Sequence, residues 1–198
     1  MIQSTHLKAI SLLAVIGLAV FGCQSADDKE TSQEESQAAE EMTTESSSGH
    51  KAFAVVNPKE GSDVVGAVTF TEVEGRVRII ADIGGLTPGK HGFHIHEHGD
   101  CSAADASSAG GHFNPTNQKH GGPDSYERHV GDLGNLEADE FGFAHYDRID
   151  RVISLRGEHS IIGKSVIVHE GEDDLMTNPT GNAGKRVACG KIVKSEVK

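Results

Sequence analysis

Seven side chains of the types that bind metals fall between residues 94 and 169. Six are histidines and one is an aspartate, and their spacing suits two metal ions that share one ligand: His94, His96, His112, His120, His129, Asp132 and His169. Imidazole and carboxylate groups are common ligands of zinc and copper in proteins. Two ions that share a ligand indicate redox chemistry rather than simple metal storage.

The first two of these histidines lie in the run HGFHIHEHGDC, residues 91–101. His94 and His96 are two positions apart, and positions i and i+2 of a β-strand lie on the same face. Ile95 is then expected to point the other way, into a core. A lone histidine on a strand is more often structural, so the pairing itself favours a metal site. His169 follows the apolar run IIGKSVIV and is expected at a strand end that faces a cleft.

The remaining candidates lie in a Gly- and Pro-rich stretch that contains GGHFNP, KHGGP and RHVGDLGN. Such a stretch predicts a loop that can fold around an ion. Taken alone, His112, His120, His129 and Asp132 suggest a zinc site, because Zn²⁺ accepts nitrogen and oxygen ligands in tetrahedral geometry.

Short β-type runs separated by turn signals must position these groups. Several alternate apolar with polar residues, as half-buried antiparallel strands do, and Glu74-Gly75 suits a tight hairpin. No long amphipathic helical stretch appears, so we predict an all-β sandwich or barrel of eight strands. Two long insertions, at about 100–139 and 170–186, are expected to be functional loops. The β-type runs are 52–56, 66–73, 76–83, 91–97, 141–149, 161–170 and 189–193.

The first 49 residues predict export and tethering. Residues 1–22 contain Lys8 and then an apolar run that is short for a membrane span, which is typical of a signal peptide. The residues before Cys23 resemble a bacterial lipobox, so Cys23 is the expected lipidation site; the alternative is an ordinary secretory peptide. Residues 23–49 are polar and acidic, which predicts a disordered tether, and residues 50–198 form the expected domain.

Charge and cysteine content narrow the possible partners. The chain carries a net charge of −12, and the eight acidic side chains of the tether account for much of it. Nucleic acid is therefore an unexpected partner. If Cys23 carries lipid, Cys101 and Cys189 remain as a natural disulfide pair in an oxidising compartment.

Six motifs occur in the order found in copper/zinc superoxide dismutases: HGFHIHEHGDC, GGHFNP, KHGGP, RHVGDLGN, VHEGEDD and TGNAGKRVACG. The resemblance spans about residues 50–194. It implies a Greek-key β-sandwich or barrel, with one copper and one zinc per subunit. It also implies conversion of superoxide to oxygen and hydrogen peroxide by alternating reduction and reoxidation of a histidine-bound copper.

The resemblance implies a role for each candidate residue. His94, His96, His112 and His169 resemble the copper ligands, and His112, His120, His129 and Asp132 resemble the zinc ligands, with His112 bridging as an imidazolate. Arg186 resembles the family's active-site arginine, and Asp173 the aspartate that orients a ligand of each metal. The loop before Arg186 is shorter than in eukaryotic members, which predicts either weaker steering of the anion or steering by Lys185.

Two rival functions and several locations follow from the same residues. The rivals are a non-catalytic exported copper- and zinc-binding protein and an adhesion or scaffold sandwich. We expect a periplasmic or cell-envelope location with a lipid anchor, and Gln24 after the cysteine favours the outer membrane. The membrane is thus a predicted partner through the anchor, superoxide is the predicted substrate, and a homodimer is possible.

Overall fold

The computed structural model describes residues 49–196. Nine strands occur in this part of the chain, and its one helical element is the 3₁₀ turn Ser107–Ala109. Within the same residues, no helix has the length and apolar character needed to span a membrane. The strands are β1 Lys51–Pro58, β2 Val65–Val73, β3 Arg76–Gly84, β4 Gly89–His96, β5 Asp132–Ala138, β6 Ala144–Asp150, β7 Ser165–His169, β8 Arg186–Lys191 and β9 Val193–Lys194.

Eight of the strands close into an antiparallel barrel. Their order is β2-β3-β6-β5-β4-β7-β8-β1, and pairing of β1 with β2 completes the ring. The two-residue β9 pairs with β1. The neighbours β3–β6 and β4–β7 are not consecutive in the chain, as a Greek-key connection requires. The predicted all-β fold with eight strands is confirmed.

In strands such as β1 and β3, apolar and polar residues alternate, so that one face of the strand lies in the core. In β3, Val77, Ile79, Ala81 and Ile83 are buried, while Arg78 between them is exposed. Strand side chains alternate between the two faces of a sheet, so this pattern requires one buried face and one solvated face. The core is therefore the barrel interior.

The β2–β3 hairpin confirms the predicted turn. Glu74 and Gly75 connect the two strands with φ angles of 51° and 73°. Positive φ at both central residues is typical of the type I′ turn, whose twist matches that of the flanking strands. Glycine adopts this conformation without the steric cost that a Cβ brings.

One sequence prediction is wrong: the expected insertion at about 100–139 contains a strand. Residues 132–138 form β5, which pairs with β4 from Gly89↔Ala138 to His94↔Asp132. The sequence DLGNLEA hides this strand because Gly134, with a φ of 80°, interrupts the alternation at a bulge between Gly92 and His94. The loop that precedes β5 thus ends at residue 131, and Asp132 is a strand residue.

Cys101 and Cys189 form the predicted disulfide. The bond ties the loop after β4 to β8, across 88 residues of sequence. Cys189 is buried in a small apolar cluster with Ala106, Ala109 and Ile167. The bond therefore holds the segment that contains Ala106 and Gly110 beside the end of the barrel where β8 begins.

Candidate metal centre

Strand β4 presents two histidines on the outer face of the barrel. Ile95 is fully buried in the barrel core, so His94 and His96 on either side of it point outward, as predicted. Both histidines are nevertheless fully buried, because the long loops cover this face. The result is an enclosed polar site that lies against a rigid strand.

Four histidines surround the first candidate site. His94 and His96 come from β4, His169 comes from the end of β7, and His112 comes from the loop after β4. One ring nitrogen from each lies within 4.8 Å of the corresponding nitrogens of the others. These four nitrogens are buried and have no hydrogen-bond partner: Nδ1 of His94 and Nε2 of His96, His112 and His169.

Orphaned buried nitrogens are rare in folded proteins, because an unpaired polar atom is costly to remove from water. Four of them converging on one point fit a cation that accepts their lone pairs. Imidazole nitrogens suit zinc, copper, iron and nickel, and among these divalent ions copper generally binds such sites most tightly.

Three histidines and a carboxylate surround the second candidate site. Oδ1 of Asp132 lies 2.8 Å from Nδ1 of His112, 3.0 Å from Nδ1 of His120 and 3.2 Å from Nδ1 of His129. All four ligand atoms lie within 4.8 Å of one another. This donor set matches the nitrogen and oxygen ligands that four-coordinate zinc accepts.

His112 belongs to both groups, with a different nitrogen in each. Its Nδ1 faces Asp132, and its Nε2 is the unpaired atom in the first group. The ring centroid lies 4.0 Å from that of His94 and 5.5 Å from that of His129. An isolated antiparallel β-bridge to His96 fixes the backbone of His112, from which this ring extends. The imidazole therefore stands between the two candidate sites.

In four of the ligand histidines, a neighbouring group holds the nitrogen that does not face a candidate site. Asp173 accepts hydrogen bonds from Nε2 of His94, at 2.8 Å, and from Nε2 of His120, at 2.9 Å. Nδ1 of His96 donates to the Gly110 carbonyl, and Nδ1 of His169 to the Gly184 carbonyl. Each hydrogen bond fixes the tautomer and the orientation of its ring.

Burial keeps the rings of the first site neutral. It lowers the pKa of His112 to about 4 and that of His169 to about 3, and it also lowers the pKa of His94 and His96. Desolvation disfavours the charged imidazolium, and a neutral imidazole has a lone pair free for a metal. At neutral pH the first site is therefore ready to bind a cation.

The second site has a different electrostatic character. Burial acts to lower the pKa of His120, but the neighbouring carboxylates of Asp132 and Asp173 outweigh it and raise the pKa to about 9. Burial acts to raise the pKa of both carboxyls, and their histidine partners lower it well below the usual range. The two aspartates are thus ionised and offset the positive charge of a bound cation.

Arg186 lies at the start of β8, beside the first site. Its two terminal nitrogens donate to the carbonyls of Ala106 and Gly110, each at 2.7 Å. The guanidinium carries five N–H donors in a plane, so these two bonds leave other donors available to an anion. An open cleft beside it is lined by Glu60, Asp105, Ser107, Gly184 and Lys185.

The structure brings the seven predicted metal ligands together with Asp173 and Arg186, whereas the predicted lipidation site Cys23 lies outside the described residues. It also adds residues that the sequence did not indicate. Asn135 binds the backbone of Asp173 twice, donating to its carbonyl at 2.9 Å and accepting from its N–H at 2.8 Å. Arg128 donates to the carbonyl of Asp132 from a buried ion pair with Asp150. Both act on the backbone through tertiary contacts, and no local sequence pattern signals such a contact.

Comparisons with known proteins agree with this geometry. The family model described as copper/zinc superoxide dismutase (SODC) matches residues 64–192. The chain is 50% identical over 136 residues to a protein of Paramecium bursaria Chlorella virus 1 named superoxide dismutase (Cu-Zn), a match that covers 65% of this chain and 72% of the relative.

Two further relatives are similar over most of the described domain. The extracellular superoxide dismutase (Cu-Zn) of Drosophila melanogaster is 48% identical over 141 residues, covering 67% of this chain and 77% of its own. Among solved structures, the clock protein EA4 matches with a TM-score of 0.68 and 46% identity, over 73% of this chain and 94% of that one.

Proposed function

The chain belongs to the copper/zinc superoxide dismutase family, and from that premise we propose a role for each side chain of its metal centre. The protein is an oxidoreductase with copper and zinc as cofactors, so the prediction of an enzyme is confirmed. In the overall reaction, one superoxide is oxidised to O₂, and a second takes the electron and two protons to become H₂O₂.

The first site holds copper through His94, His96, His112 and His169, and the second holds zinc through His112, His120, His129 and Asp132. When bound, copper supplies the one-electron redox chemistry, which zinc does not perform. The observation that carries the assignment is the position of His112, whose two nitrogens face different sites. Support also comes from the four orphaned nitrogens and from the position of the carboxylate in the second site alone.

His112 is then positioned to hold and release a proton. Its Nε2 faces the copper site, while its Nδ1 remains in the zinc site beside Asp132. A cation at the zinc site acidifies the ring by the same electrostatic effect that acidifies metal-bound water. The reduction of superoxide to peroxide consumes protons, and Nε2 is a donor at the place where they are needed.

Arg186 docks the anion. The Ala106 and Gly110 carbonyls hold its guanidinium beside the copper site, and its remaining N–H groups attract superoxide in a molecule whose net charge is negative. Arg186 is half-buried, which strengthens its attraction for an anion relative to that of a fully hydrated cation.

Superoxide consumption by the metal-loaded full chain tests these roles. We expect Arg186→Ala to slow consumption by about tenfold or more while copper and zinc contents stay at the wild-type level, because one docking interaction is lost.

We expect His112→Ala to abolish the magnetic coupling between copper and a paramagnetic cobalt ion placed in the zinc site. A wild-type protein that consumes superoxide no faster when loaded than when metal-free would contradict the assignment.

Export and lipid anchoring complete the proposal. Residues 1–22 act as the signal peptide, Cys23 receives the lipid, and 23–49 form the tether; of these residues, the structure describes Gly49 alone. The Cys101–Cys189 disulfide supports an oxidising compartment, and relatives from Drosophila melanogaster and Brugia pahangi are named extracellular. Outer-membrane placement rests on Gln24 alone. Mass spectrometry of the mature N-terminus, with Cys23→Ala as the control, tests the anchor.

A homodimer also remains a proposal. Phe53 and Val55 on β1 are exposed on the outer face of the barrel, and Val193 of β9 pairs with Phe53. Exposed apolar side chains at adjacent positions are typical of contact surfaces. Sedimentation equilibrium of the wild type and of Phe53→Ser tests whether two copies associate through this face.

A further inference from the structure

The loop between β7 and β8 holds His120 at two separate points. Nε2 of the ring donates to Oδ1 of Asp173 at 2.9 Å. The backbone N–H of the same residue donates to the side-chain oxygen of Asn178 at 2.7 Å, across 58 residues of sequence. With its backbone and one ring nitrogen held, the other nitrogen, Nδ1, is left buried and aimed into the zinc site.

The segment 174–181 is a compact turn that presents Asn178. The Asp174 carboxylate accepts hydrogen bonds from the backbone N–H groups of Met176 and Thr177 and from the Thr177 hydroxyl. Gly181 closes the turn, donating to the Thr177 carbonyl and accepting from the N–H of Asp174. Hydrogen bonds inside the turn thus fix the backbone of Asn178 before its side chain reaches the neighbouring loop.

Gly181 brings this turn against the histidine. A Cβ on Gly181 would collide with Oδ1 of Asp173 and would lie 2.6 Å from Nε2 of His120. The backbone at Gly181 also has a φ of 65°, which favours glycine. The turn therefore packs directly on the hydrogen bond between Asp173 and His120, and water is kept from it.

We propose that Asn178 is a positioning residue for the zinc ion, acting through the backbone of His120. This inference rests on the proposed assignment of His120 as a zinc ligand. Asn178 is exposed and binds only the main chain, so it touches neither metal. Its amide oxygen instead sets where the backbone of His120 lies. Together with the hydrogen bond that the ring donates to Asp173, this contact leaves the ring one orientation. The prediction concerns zinc retention, since the hydrogen bond of Asn178 goes to His120, which is a ligand of the zinc site alone.

Chelator competition on the full chain measures this role directly. We expect Asn178→Ala to weaken zinc binding by about tenfold, the lower end of the effect of removing a group that orients a metal ligand. Asn178→Asp keeps an oxygen at the same position and should retain zinc as the wild type does. Met176→Ala is the matched control, because Met176 is exposed in the same turn and its side chain makes no hydrogen bond to His120.

Two further measurements separate positioning from a general loosening of the loop. Cobalt in the zinc site should show an altered visible spectrum in Asn178→Ala and a restored one in Asn178→Asp. The His120 amide proton should exchange faster in Asn178→Ala only. Equal zinc binding by wild type and Asn178→Ala, or equal losses in the alanine and aspartate variants, would overturn the inference. Failure of the wild type to bind zinc would instead overturn the ligand assignment.

Discussion

Each candidate copper ligand other than His112 uses its two nitrogens differently. One nitrogen donates to a fixed acceptor, and the other is buried with no partner. The acceptor is a carboxylate for His94 and a backbone carbonyl for His96 and His169. Because a neutral imidazole carries one N–H, a hydrogen bond on one side leaves a lone pair on the other. The protein thus selects the tautomer before a metal arrives.

Asp173 provides the sharpest test of this arrangement, because it is hydrogen-bonded to one ligand of each metal. We expect Asp173→Ala to lower both copper and zinc affinity, each by about 10- to 100-fold, since two rings lose their orienting acceptor. Chelator competition with each metal measures the two losses. Glu172→Gln is the control, because Glu172 only pairs with the exposed Lys90. A loss confined to one metal would contradict the shared role.

The lowered histidine pKa values predict how the metal-free protein responds to acid. Burial lowers the pKa of His112 to about 4 and that of His169 to about 3, whereas unfolding returns both to about 6.5. Below pH 6.5 the unfolded chain therefore binds more protons than the folded one. The free energy of unfolding consequently decreases as the pH is lowered. From pH 7 to pH 5 each ring removes up to about 2 kcal/mol.

Urea unfolding of the metal-free chain at pH 7 and pH 5 measures this loss. His120 acts in the opposite sense at higher pH: its raised pKa of about 9 stabilises the fold below pH 6.5, and that contribution disappears as pH rises toward 9. Equal stability at pH 7 and pH 5 would contradict the burial of neutral rings. Bound metal should suppress the acid effect, because ligation holds the rings unprotonated.

At the scale of elements, sequence patterns predicted strands such as β1 and β3 well. They predicted poorly where the loop between β4 and β5 ends; this loop, residues 97–131, carries three of the candidate zinc ligands and is called the zinc loop. Alternation in β1 and β3 has a direct cause, since one face is buried and the other is solvated. Strand β5 was missed because Gly134 and the bulge opposite β4 break the alternation. The candidate ligands were predicted from their motifs, whereas Asn135, Arg128 and Asn178 act through distant backbone atoms and leave no periodic signal.

The buried ion pair between Arg128 and Asp150 anchors the zinc loop to the end of β6. Arg128 also donates to the carbonyl of Asp132, so the pair holds the start of β5. We expect Asp150→Ala to lower the free energy of unfolding by about 3–5 kcal/mol, because it leaves a buried guanidinium without its counter-charge.

Urea unfolding of the metal-free chain checks that value. The exposed pair Arg78–Asp147 is the matched control, and Asp147→Ala should cost far less stability, because water screens an exposed ion pair. If the two aspartate variants lose the same stability, Arg128 is hydrated rather than buried, and the anchoring role is wrong.

At the scale of the whole molecule, an acidic protein must attract an anion. The chain carries a net charge of −12, and Glu60 and Asp105 line the cleft beside Arg186. Lys185 is exposed in the same cleft and makes no ion pair among the described residues. A few charges on the loops that cover the barrel, rather than the shape of the barrel, therefore decide whether the cleft attracts or repels an anion.

We therefore expect Lys185→Gln to slow superoxide consumption about twofold at low salt, from about 0.4 kcal/mol between unit charges about 10 Å apart in water. The difference should shrink above about 0.1 M salt, where the screening length falls to about 10 Å. Rates measured over a range of ionic strengths test this, with Lys194→Gln on β9 as the control. If Lys185→Gln consumes superoxide at the wild-type rate at low salt, Lys185 has no steering role.

The carbonyl of Gly110 accepts hydrogen bonds from both Arg186 and His96. One oxygen atom therefore positions both the guanidinium that docks the anion and a candidate copper ligand. The position of this carbonyl therefore bears on the orientation of the His96 ring and on that of the guanidinium at the same time. A backbone change at Gly110 is expected to disturb anion docking and copper binding together.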